Sequence, residues 1–599
     1  MAVQTKHLEA ELAAAAARGG AFLFAPVGTR DIFTPEKLSD EQRAMYQTGR
    51  DFAAQKILPR ALELEHKAPG LLPALIREAG EVGLLMVDIP EAYGGLGADI
   101  VTSMLVSESQ SVNGSWAVSA GAHSGIGTLP IVFFGSDAQK AKYLPKSATG
   151  EWIFAYALSE ASSGSDALGA KTRADLSPDG RHWVLNGSKQ WITNAGIADV
   201  FIVFAKVSGD KFTAFIVEKG TPGFSVGREE HKLGLRGSST CPLVFEDAQV
   251  PVENLLGEIG KGHKIAFNIL NIGRLKLGAA GSAGTKGTLF LATKYAVDRK
   301  AFGKSIAEFG LIREKLAYNA AVAYAVETVA YRAAGVIHEA LERAHNARNS
   351  ASEIMGAIEE YAVEASINKV FGSEQLHFMA DEALQVHGGY GFVEDYEIER
   401  LYRDERVNRI FEGTNEINRM LIPGMIFKRA MKGQLPLMEA AANLDEEIAD
   451  PSRLLPSDEG RLAPERRLAE GAKRCFILAA RAAAAKFGLE LDQKQEVLAA
   501  LADLAIEAYA LDSILARTLQ ATDKLPLRDA LCRLFASRSR ERLHVRTREA
   551  LAGCLEGEAL ASAIKAVDVL LPYTPQDPAA LREAVMPAVL EAGGYPFNF

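Results

Sequence analysis

Hydrophobic and polar positions change rhythm along the chain, and each change marks a structural unit. Between residue 36 and about 150, apolar residues recur every three or four positions and are broken by Gly and Pro. The run SDEQRAMYQTGRDFAAQKILPRALE opens this region behind Ser39, a candidate helix N-cap. From about 152 to 256 the chain carries short β-prone runs instead. HWVLNGSKQWIT joins two of them at Asn186-Gly187, a strong hairpin signal, and VFIVFAKVSGDKFTAFIV repeats the plan around Ser208-Gly209-Asp210. A compact antiparallel β domain is predicted there. Long helical periods return from about 260 to 430, where Val363, Ile367, Val370 and Phe371 share a face interleaved with Glu364, Lys369 and Glu374. Such helices with short connections predict a bundle. The acid- and proline-containing stretch AANLDEEIADPSRLLPSDEGRLAP, residues 441 to 464, reads as a linker or mobile loop. A further Ala- and Leu-rich helical region follows.

The predicted class is therefore α+β: an N-terminal extension over 1–35, a helical domain over 36–151 and a middle antiparallel β domain over 152–262. A helical bundle over 263–430, a linker over 431–464 and an additional C-terminal helical domain over 465–599 complete the order. A chain of 599 residues exceeds what one core supports, which agrees with this division. The formal net charge of −10 does not suit phosphate-backbone binding, so no nucleic-acid partner is expected. Cys241, Cys475, Cys532 and Cys554 are far apart and form no CxxC pair, and no H-E-x-x-H occurs, so neither a disulfide framework nor a metal site is predicted. The N-terminal segment lacks the pattern of a secretory or transit signal. No uninterrupted apolar run is expected to span a bilayer, since even AVAYAVETVAYRAAGVI carries Glu327 and Arg332.

Two nucleotide motifs fail on inspection. Gly303-Lys304-Ser305 ends like a P-loop but has Asp298 where the first glycine belongs, and Gly260-Lys261-Gly262 lacks the third glycine of a dinucleotide fingerprint. Three other segments fit better together than singly. YALSEASSGSDALGAKT, 156 to 172, offers small hydroxyl residues and Gly164 for close approach to a polar ring edge or phosphate. SKQWITNAG, 188 to 196, places Trp191 and Thr193 on a strand; alone, Trp191 reads as core packing. DRKAFGKSI, 298 to 306, offers Arg299 and Phe302 at a helix end; alone, it reads as a solvated charge run.

The signatures ALSEASSGSD, LNGSKQWITNAG, KLGLRGSSTCPLVFEDAQVP, GRLKLGAAG, DRKAFGKSI, ALQVHGGYGF and IFEGTNEI, in this order across roughly 36 to 430, closely resemble the acyl-CoA dehydrogenases. These are flavoenzymes that introduce a double bond between the α and β carbons of acyl-CoA thioesters. The extra helical region and NILNIGR, 268 to 274, are similar to the very-long-chain subgroup. The resemblance implies an N-terminal helical domain, a middle β domain and a four-helix bundle. It implies FAD, its ring edge and neighbouring groups met by Ser159, Ser165 and Thr193 beside Trp191. Arg299, Phe302, Gln385, Gly388 and Gly389 would hold the pyrophosphate and adenosine part of a flavin bound mainly by the other subunit, hence a homodimer. Ser159 and Ala161 stand where threonine and proline are common in the family, and His387 where an aliphatic residue is usual.

The reaction needs a base for the α-proton, a hydride acceptor and donors for the developing enolate oxygen. The resemblance makes Glu412 the base and implicates its backbone N–H as one donor. Thr414 is the predicted N-cap of the next helix, placing Glu412 on the loop before it. Phe411 and Gly413 flank the base and are assigned to the substrate, and Thr414 to the cofactor. Ser165, Asn271 and Arg274 are candidates for contact with the CoA portion, although Arg274 also reads as a bundle salt bridge. Ala117 and Gly121, four apart on one helical face, would leave a deep channel for a long acyl tail; equally, small residues let helices pack closely. The expected substrate is long- or very-long-chain acyl-CoA, and the expected electron acceptor is electron-transfer flavoprotein. An acyl-CoA oxidase of the same fold, or an assembly or scaffold protein keeping a flavin site, are the rival readings. Arg461, Arg466, Arg467, Lys473 and Arg474 form a basic cluster for peripheral membrane contact or, more simply, a solvated face. The expected location is the cytoplasm of a bacterium or the mitochondrial matrix.

Overall fold

The computed structural model describes residues 18–28, 30–346, 351–450 and 460–597. Much of the predicted N-terminal extension and the centre of the predicted linker lie outside the described residues. Helices α1 (Asp40–Phe52), α2 (Ala61–Glu65), α3 (Leu71–Glu81), α4 (Ile100–Gln110), α5 (Gly114–Gly121), α6 (Leu129–Phe134) and α7 (Asp137–Ala148) form the first unit. Ser39 caps α1 as expected: its hydroxyl accepts from Gln42 N–H while the Gln42 side chain accepts from Ser39 N–H.

The middle unit is an eight-stranded sheet in the order β6-β7-β3-β2-β4-β5-β8, with β1 also pairing to β4. Its strands are β1 (Phe154–Ala157), β2 (Arg173–Leu176), β3 (His182–Thr193), β4 (Val200–Val207), β5 (Lys211–Glu218), β6 (Phe224–Val226), β7 (Thr240–Pro251) and β8 (Leu255–Leu256). The sheet is mixed rather than purely antiparallel, because β1 and β2 both run parallel to β4. The β1 residues are all buried, so the strand lacks the alternation that would reveal its setting. The Ser208-Gly209-Asp210 turn joins β4 to β5 as predicted. Asn186-Gly187 does not turn the chain. Both residues lie within β3, at a register shift against β7, where the Asn186 side chain pairs with Asp247 and Gly187 sits against Thr172. The extra residue lies on the partner, where Glu246 and Asp247 of β7 stand against Asn186 alone, so β3 continues instead of ending.

Long helices α8 (Gly262–Asp298), α9 (Gly310–Asn346), α11 (Ala362–His387) and α13 (Asn415–Met431) make the bundle, with α10 (Ala351–Glu360) and α12 (Glu397–Glu405) as shorter pieces. The predicted linker begins with a helix, α14 (Leu437–Ala449). Helices α15 (Ala463–Phe487), α16 (Gln495–Gln520), α17 (Leu525–Cys554), α18 (Gly557–Leu570) and α19 (Pro578–Ala592) form the additional domain. It shares a single apolar core with the bundle and with Ala21, Phe22, Leu23 and Val27 of the N-terminal segment.

Helix α11 is not amphipathic in the expected way. Glu364 and Lys369 are as buried as Val363 and Ile367, since neighbours cover the helix on nearly every side. The span from Gly310 to Ala344 within α9 is long and apolar enough to cross a membrane by length and composition, as is Gly114–Phe134, contrary to the sequence expectation. In α9, however, 94% of the most apolar window is buried inside the fold. Its two interrupting charges are paired there: Glu327 with Arg517 at 2.7 Å, and Arg332 with Asp512 at 2.8 Å.

The contact of α8 with α11 sets the spacing of the site below. Asn368 on α11 donates to the Leu275 carbonyl of α8 at 3.2 Å, and a Cβ at Gly278 would overlap that same amide. Gly→Ala inside a helix ordinarily stabilises by up to ~1 kcal/mol. Gly278→Ala is instead expected to destabilise by about 1–3 kcal/mol through overpacking. Thermal unfolding checks this, and an unchanged or raised midpoint would show that the interface has slack.

Candidate active site

The serine loop and the Trp191 strand meet through backbone and buried charge. Gln190 N–H donates to Ser159 O at 3.0 Å. Below them, Lys189 and Glu160 form a buried ion pair at 2.7 Å; Lys189 also donates to Leu158 O, and Glu160 accepts from the N–H groups of Lys171 and Thr172. Burying these charges is tolerated because each is satisfied by the other and by backbone. A second register shift separates Lys189 from Ile192, and within it Trp191 takes the left-handed φ of 59°. That bulge re-aims the side chain. Trp191 is 57% exposed, so the core-packing alternative does not hold. Ser159 and Thr193 are half-buried, Ser165 is exposed, and no other described residue engages their hydroxyls. An open indole beside three uncommitted hydroxyls fits a flat heteroaromatic ring with polar edges.

Glu412 and Gly413 both adopt left-handed backbone, with φ of 56° and 81°. Glycine accepts this freely, whereas a residue with Cβ needs an external reason. The reason is a set of donors aimed at the turn's carbonyls. Arg274 Nε donates to Glu412 O at 3.1 Å; Lys369 Nζ and Asn418 Nδ2 donate to Gly413 O at 2.9 and 2.8 Å. Thr414 caps α13 as expected, accepting from Ile417 N–H at 3.3 Å. The carboxylate rests on α8, where a Cβ at Gly273 would come 3.1 Å from its Oε2. Glycine at 273 is what leaves that space. Glu412 Oε2 is buried and accepts no hydrogen bond from the described residues, and Glu412 N–H donates none.

Burial pushes the Glu412 carboxyl up to about 7, against the opposing pull of Arg274 and Lys369. Burial draws Lys369 down to about 7, helped by Arg274 and resisted by Glu412, Glu374 and Glu416. A carboxyl group poised near neutrality with an unengaged oxygen can take up a proton at physiological pH. Tyr156 is buried nearby; burial first, then the Glu412 charge, hold its phenol protonated.

Of the other predicted residues, Asn271 and Arg274 are buried, and Arg274 Nη1 donates to Asn271 Oδ1 at 2.8 Å. Arg274 therefore supports the loop instead of pairing with another bundle helix. Phe411 and Ala117 are half-buried. Gly121 is exposed, and a Cβ there would meet nothing within 4 Å; buried Gly125, one turn on, is likewise bordered by open space. Arg299 stands over Tyr390 at 5.4 Å, and Tyr295 stacks on His387 at 4.2 Å. These contacts bring the end of α8 beside Gln385, Gly388 and Gly389, all exposed. Phe302, 96% exposed, tips a two-stranded ribbon whose turn residues Phe302 and Gly303 both have positive φ. Three of the five residues of the basic cluster are paired within the fold: Lys473 is buried against Asp512, Arg474 pairs with Glu470 and Glu447, and Arg461 with Asp529. Sequence reasoning passed over Lys369, Gly273, Asn418 and the Glu160–Lys189 pair. Lysine amid the apolar positions of α11 was the one visible signal.

Three models of acyl-CoA dehydrogenase domains match 39–151 (N-terminal), 155–248 (middle) and 260–424 (C-terminal), and a further C-terminal domain model matches 471–568. A crystal structure of an acyl-CoA dehydrogenase from Bacillus anthracis complexed with FAD superposes with a TM-score of 0.92 at 44% identity, covering 96% of this chain and 99% of that one. A probable acyl-CoA dehydrogenase of Bacillus subtilis (strain 168) is 45% identical over 595 residues, covering 98% of this chain and all of that protein. The human very-long-chain specific mitochondrial enzyme is 36% identical over 471 residues, 73% of this chain and 68% of that one. Fold and site together are those of a flavin-dependent oxidoreductase acting on a CH–CH bond. The chain belongs to the acyl-CoA dehydrogenase family.

The raised Glu412 carboxyl has a stability consequence. Below about pH 4.5 it is protonated in both folded and unfolded chains. As pH rises toward 7 only the unfolded chain releases the proton, so stability is drawn down, and above 7 the loss is complete. Glu412→Gln should therefore raise the melting temperature clearly at pH 8 and far less at pH 5. Equal shifts at both values would contradict the buried-carboxyl reading.

Proposed function

We propose that the protein dehydrogenates long- or very-long-chain acyl-CoA to trans-2-enoyl-CoA, with Glu412 as the base and FAD as the hydride acceptor. The observation that carries this is the Glu412 turn. It leaves a carboxylate oxygen and a backbone N–H unengaged while donors fix both neighbouring carbonyls. The carboxylate takes the α-proton, and the Glu412 N–H donates to the thioester oxygen as charge develops there. Entry of the acyl chain displaces water from Gly273 and Tyr156, which further disfavours the ionised carboxylate and strengthens it as a base.

Ser159, Ser165, Trp191 and Thr193 would hold the flavin ring. Arg299, Phe302, Gln385, Gly388 and Gly389 would hold the distal part of a flavin belonging to a second copy, which makes the active form a homodimer. Thr414, the N-cap of α13, would meet the flavin, Phe411 and Gly413 flank the substrate, and Arg274 and Asn271 act on it by fixing the turn. Ala117 and Gly121, with Gly125 beyond them, would admit the acyl tail. Electron-transfer flavoprotein is the acceptor we assign, and the cytoplasm of a bacterium the location, as the Bacillus relatives suggest.

Glu412→Gln should retain flavin absorbance yet lose anaerobic bleaching by acyl-CoA by at least about a thousandfold in rate. Near-normal bleaching would remove Glu412 from the mechanism. Gly121 lies in ordinary helical backbone, φ −67°, so Gly121→Leu adds bulk without strain. It should lower kcat/KM for the longest saturated acyl-CoAs by about tenfold or more while sparing short ones. A uniform loss across lengths would refute the channel, and peroxide formation in air at the rate of dye reduction would indicate an oxidase.

A further inference from the structure

The base-bearing turn is connected to the additional C-terminal domain by an unbroken run of polar contacts. Lys369 Nζ, which holds Gly413 O, also donates to Asn415 Oδ1 at 2.7 Å. Asn415 Nδ2 donates to Glu374 Oε1 at 3.0 Å and to Ser373 Oγ at 3.1 Å. Glu374 receives a bidentate pair from Arg419, at 2.6 and 2.9 Å. The remaining Arg419 donor, Nε, goes to Asp503 Oδ1 at 2.8 Å, and Asp503 Oδ2 pairs with Arg546 at 3.0 Å. Asp503 lies on α16 and Arg546 on α17, both in the additional domain.

A planar guanidinium has a fixed fork, so holding Nε at Asp503 fixes the plane in which the other two nitrogens meet Glu374. The Asp503 and Arg419 side chains are only 13% and 16% exposed, which shields the pair from the screening that weakens surface ion pairs. Desolvation raises the Asp503 carboxyl, with Arg419 and Arg546 pulling it back down. The charged groups facing the contact are Arg419, Glu374, Glu416 and Arg409 from the bundle side, and Asp503, Arg546 and Glu549 from the additional domain.

We propose that Asp503 is a positioning residue through which the additional domain sets the orientation, and hence the basicity, of Glu412. The idea rests on the assignment of Glu412 as the base. Without Asp503, the Arg419–Glu374 pair loses its outer anchor, the Glu374 oxygen to which Asn415 donates is less fixed, and the Asn415 Oδ1 that helps hold Lys369 beside Gly413 O shifts. The Glu412 turn then relaxes from its left-handed geometry, and the field of Lys369 on the carboxylate changes.

The test uses the flavin-loaded full chain and compares wild type, Asp503→Asn, Asp503→Glu and Asp529→Asn. The last removes the Arg461 partner inside the same domain, 2.7 Å away and remote from the run, as a control for general loosening. Wild-type flavin is first bleached anaerobically with a long-chain acyl-CoA; no bleaching would defeat the proposed function itself. Given bleaching, Asp503→Asn should lower kcat roughly three- to thirtyfold with KM changed less than about twofold. The acid limb of the kcat profile should move by a measurable fraction of a pH unit, and Asp503→Glu should restore most of both, while Asp529→Asn keeps wild-type kcat. An unchanged kcat and pH profile in Asp503→Asn would overturn the proposal. So would an equal loss in Asp529→Asn, or a loss explained by flavin content, since either marks plain destabilisation.

Discussion

A buried carboxylate held in left-handed backbone is the constraint around which this chain is arranged. Glu412 with φ of 56° stands in a region that disfavours a side chain by roughly 1–2 kcal/mol. The conformation persists because Arg274, Lys369 and Asn418 capture the turn's carbonyls from three directions. Those donors come from α8, α11 and α13, so the turn exists only where the bundle helices pack correctly. Gly273 completes the arrangement by leaving the carboxylate room against α8. What looks like a loop is as determined as the core.

The Trp191 strand follows the same logic with a different device. A strand presents alternate residues to opposite sides, and a bulge is the economical way to break that alternation at one place. In β3 the bulge falls at Trp191, and the buried Glu160–Lys189 pair anchors the serine loop beside it. Both places thus combine one strained residue with buried charged side chains that fix neighbouring backbone, Lys189 and Glu160 in one and Arg274 and Lys369 in the other, which leaves uncommitted groups at each without loosening the chain.

The order of units, the Ser39 and Thr414 caps and the Ser208-Gly209-Asp210 turn were legible because each depends on neighbours in sequence. The continuation of β3 through Asn186-Gly187 was not, since the dipeptide suits a turn equally well and it is the partner strand β7, with its extra residue opposite Asn186, that decides. Parallel pairing of β1 and β2 with β4 is likewise a tertiary outcome. Within the site, Glu412 was identified through resemblance, and its local sequence alone would have left it as an acid before a helix. Lys369 was passed over because helical period describes one apolar face of α11, while its opposite face is covered by neighbours too. A lysine's role there is fixed by Gly413 and Asn415, which arrive from far along the chain.

The additional domain is better understood as part of the bundle than as an appendage. Its helices share one apolar core with α9, α11 and α13, and buried ions cross the boundary: Arg517 to Glu327, Asp512 to Arg332, Asp503 to Arg419. Removing one member of any of these pairs while the seam stays closed would leave the other charge buried or half-buried without its partner, a far greater penalty than the pair's net contribution when intact. The N-terminal segment reinforces the seam, since Val27 N–H donates to Glu470 and Lys473 donates to Ala25 O. With α13 held between this domain and α11, the helix that begins at Asn415 cannot shift without disturbing both, so the rigidity of the Glu412 turn is inherited from the whole C-terminal half.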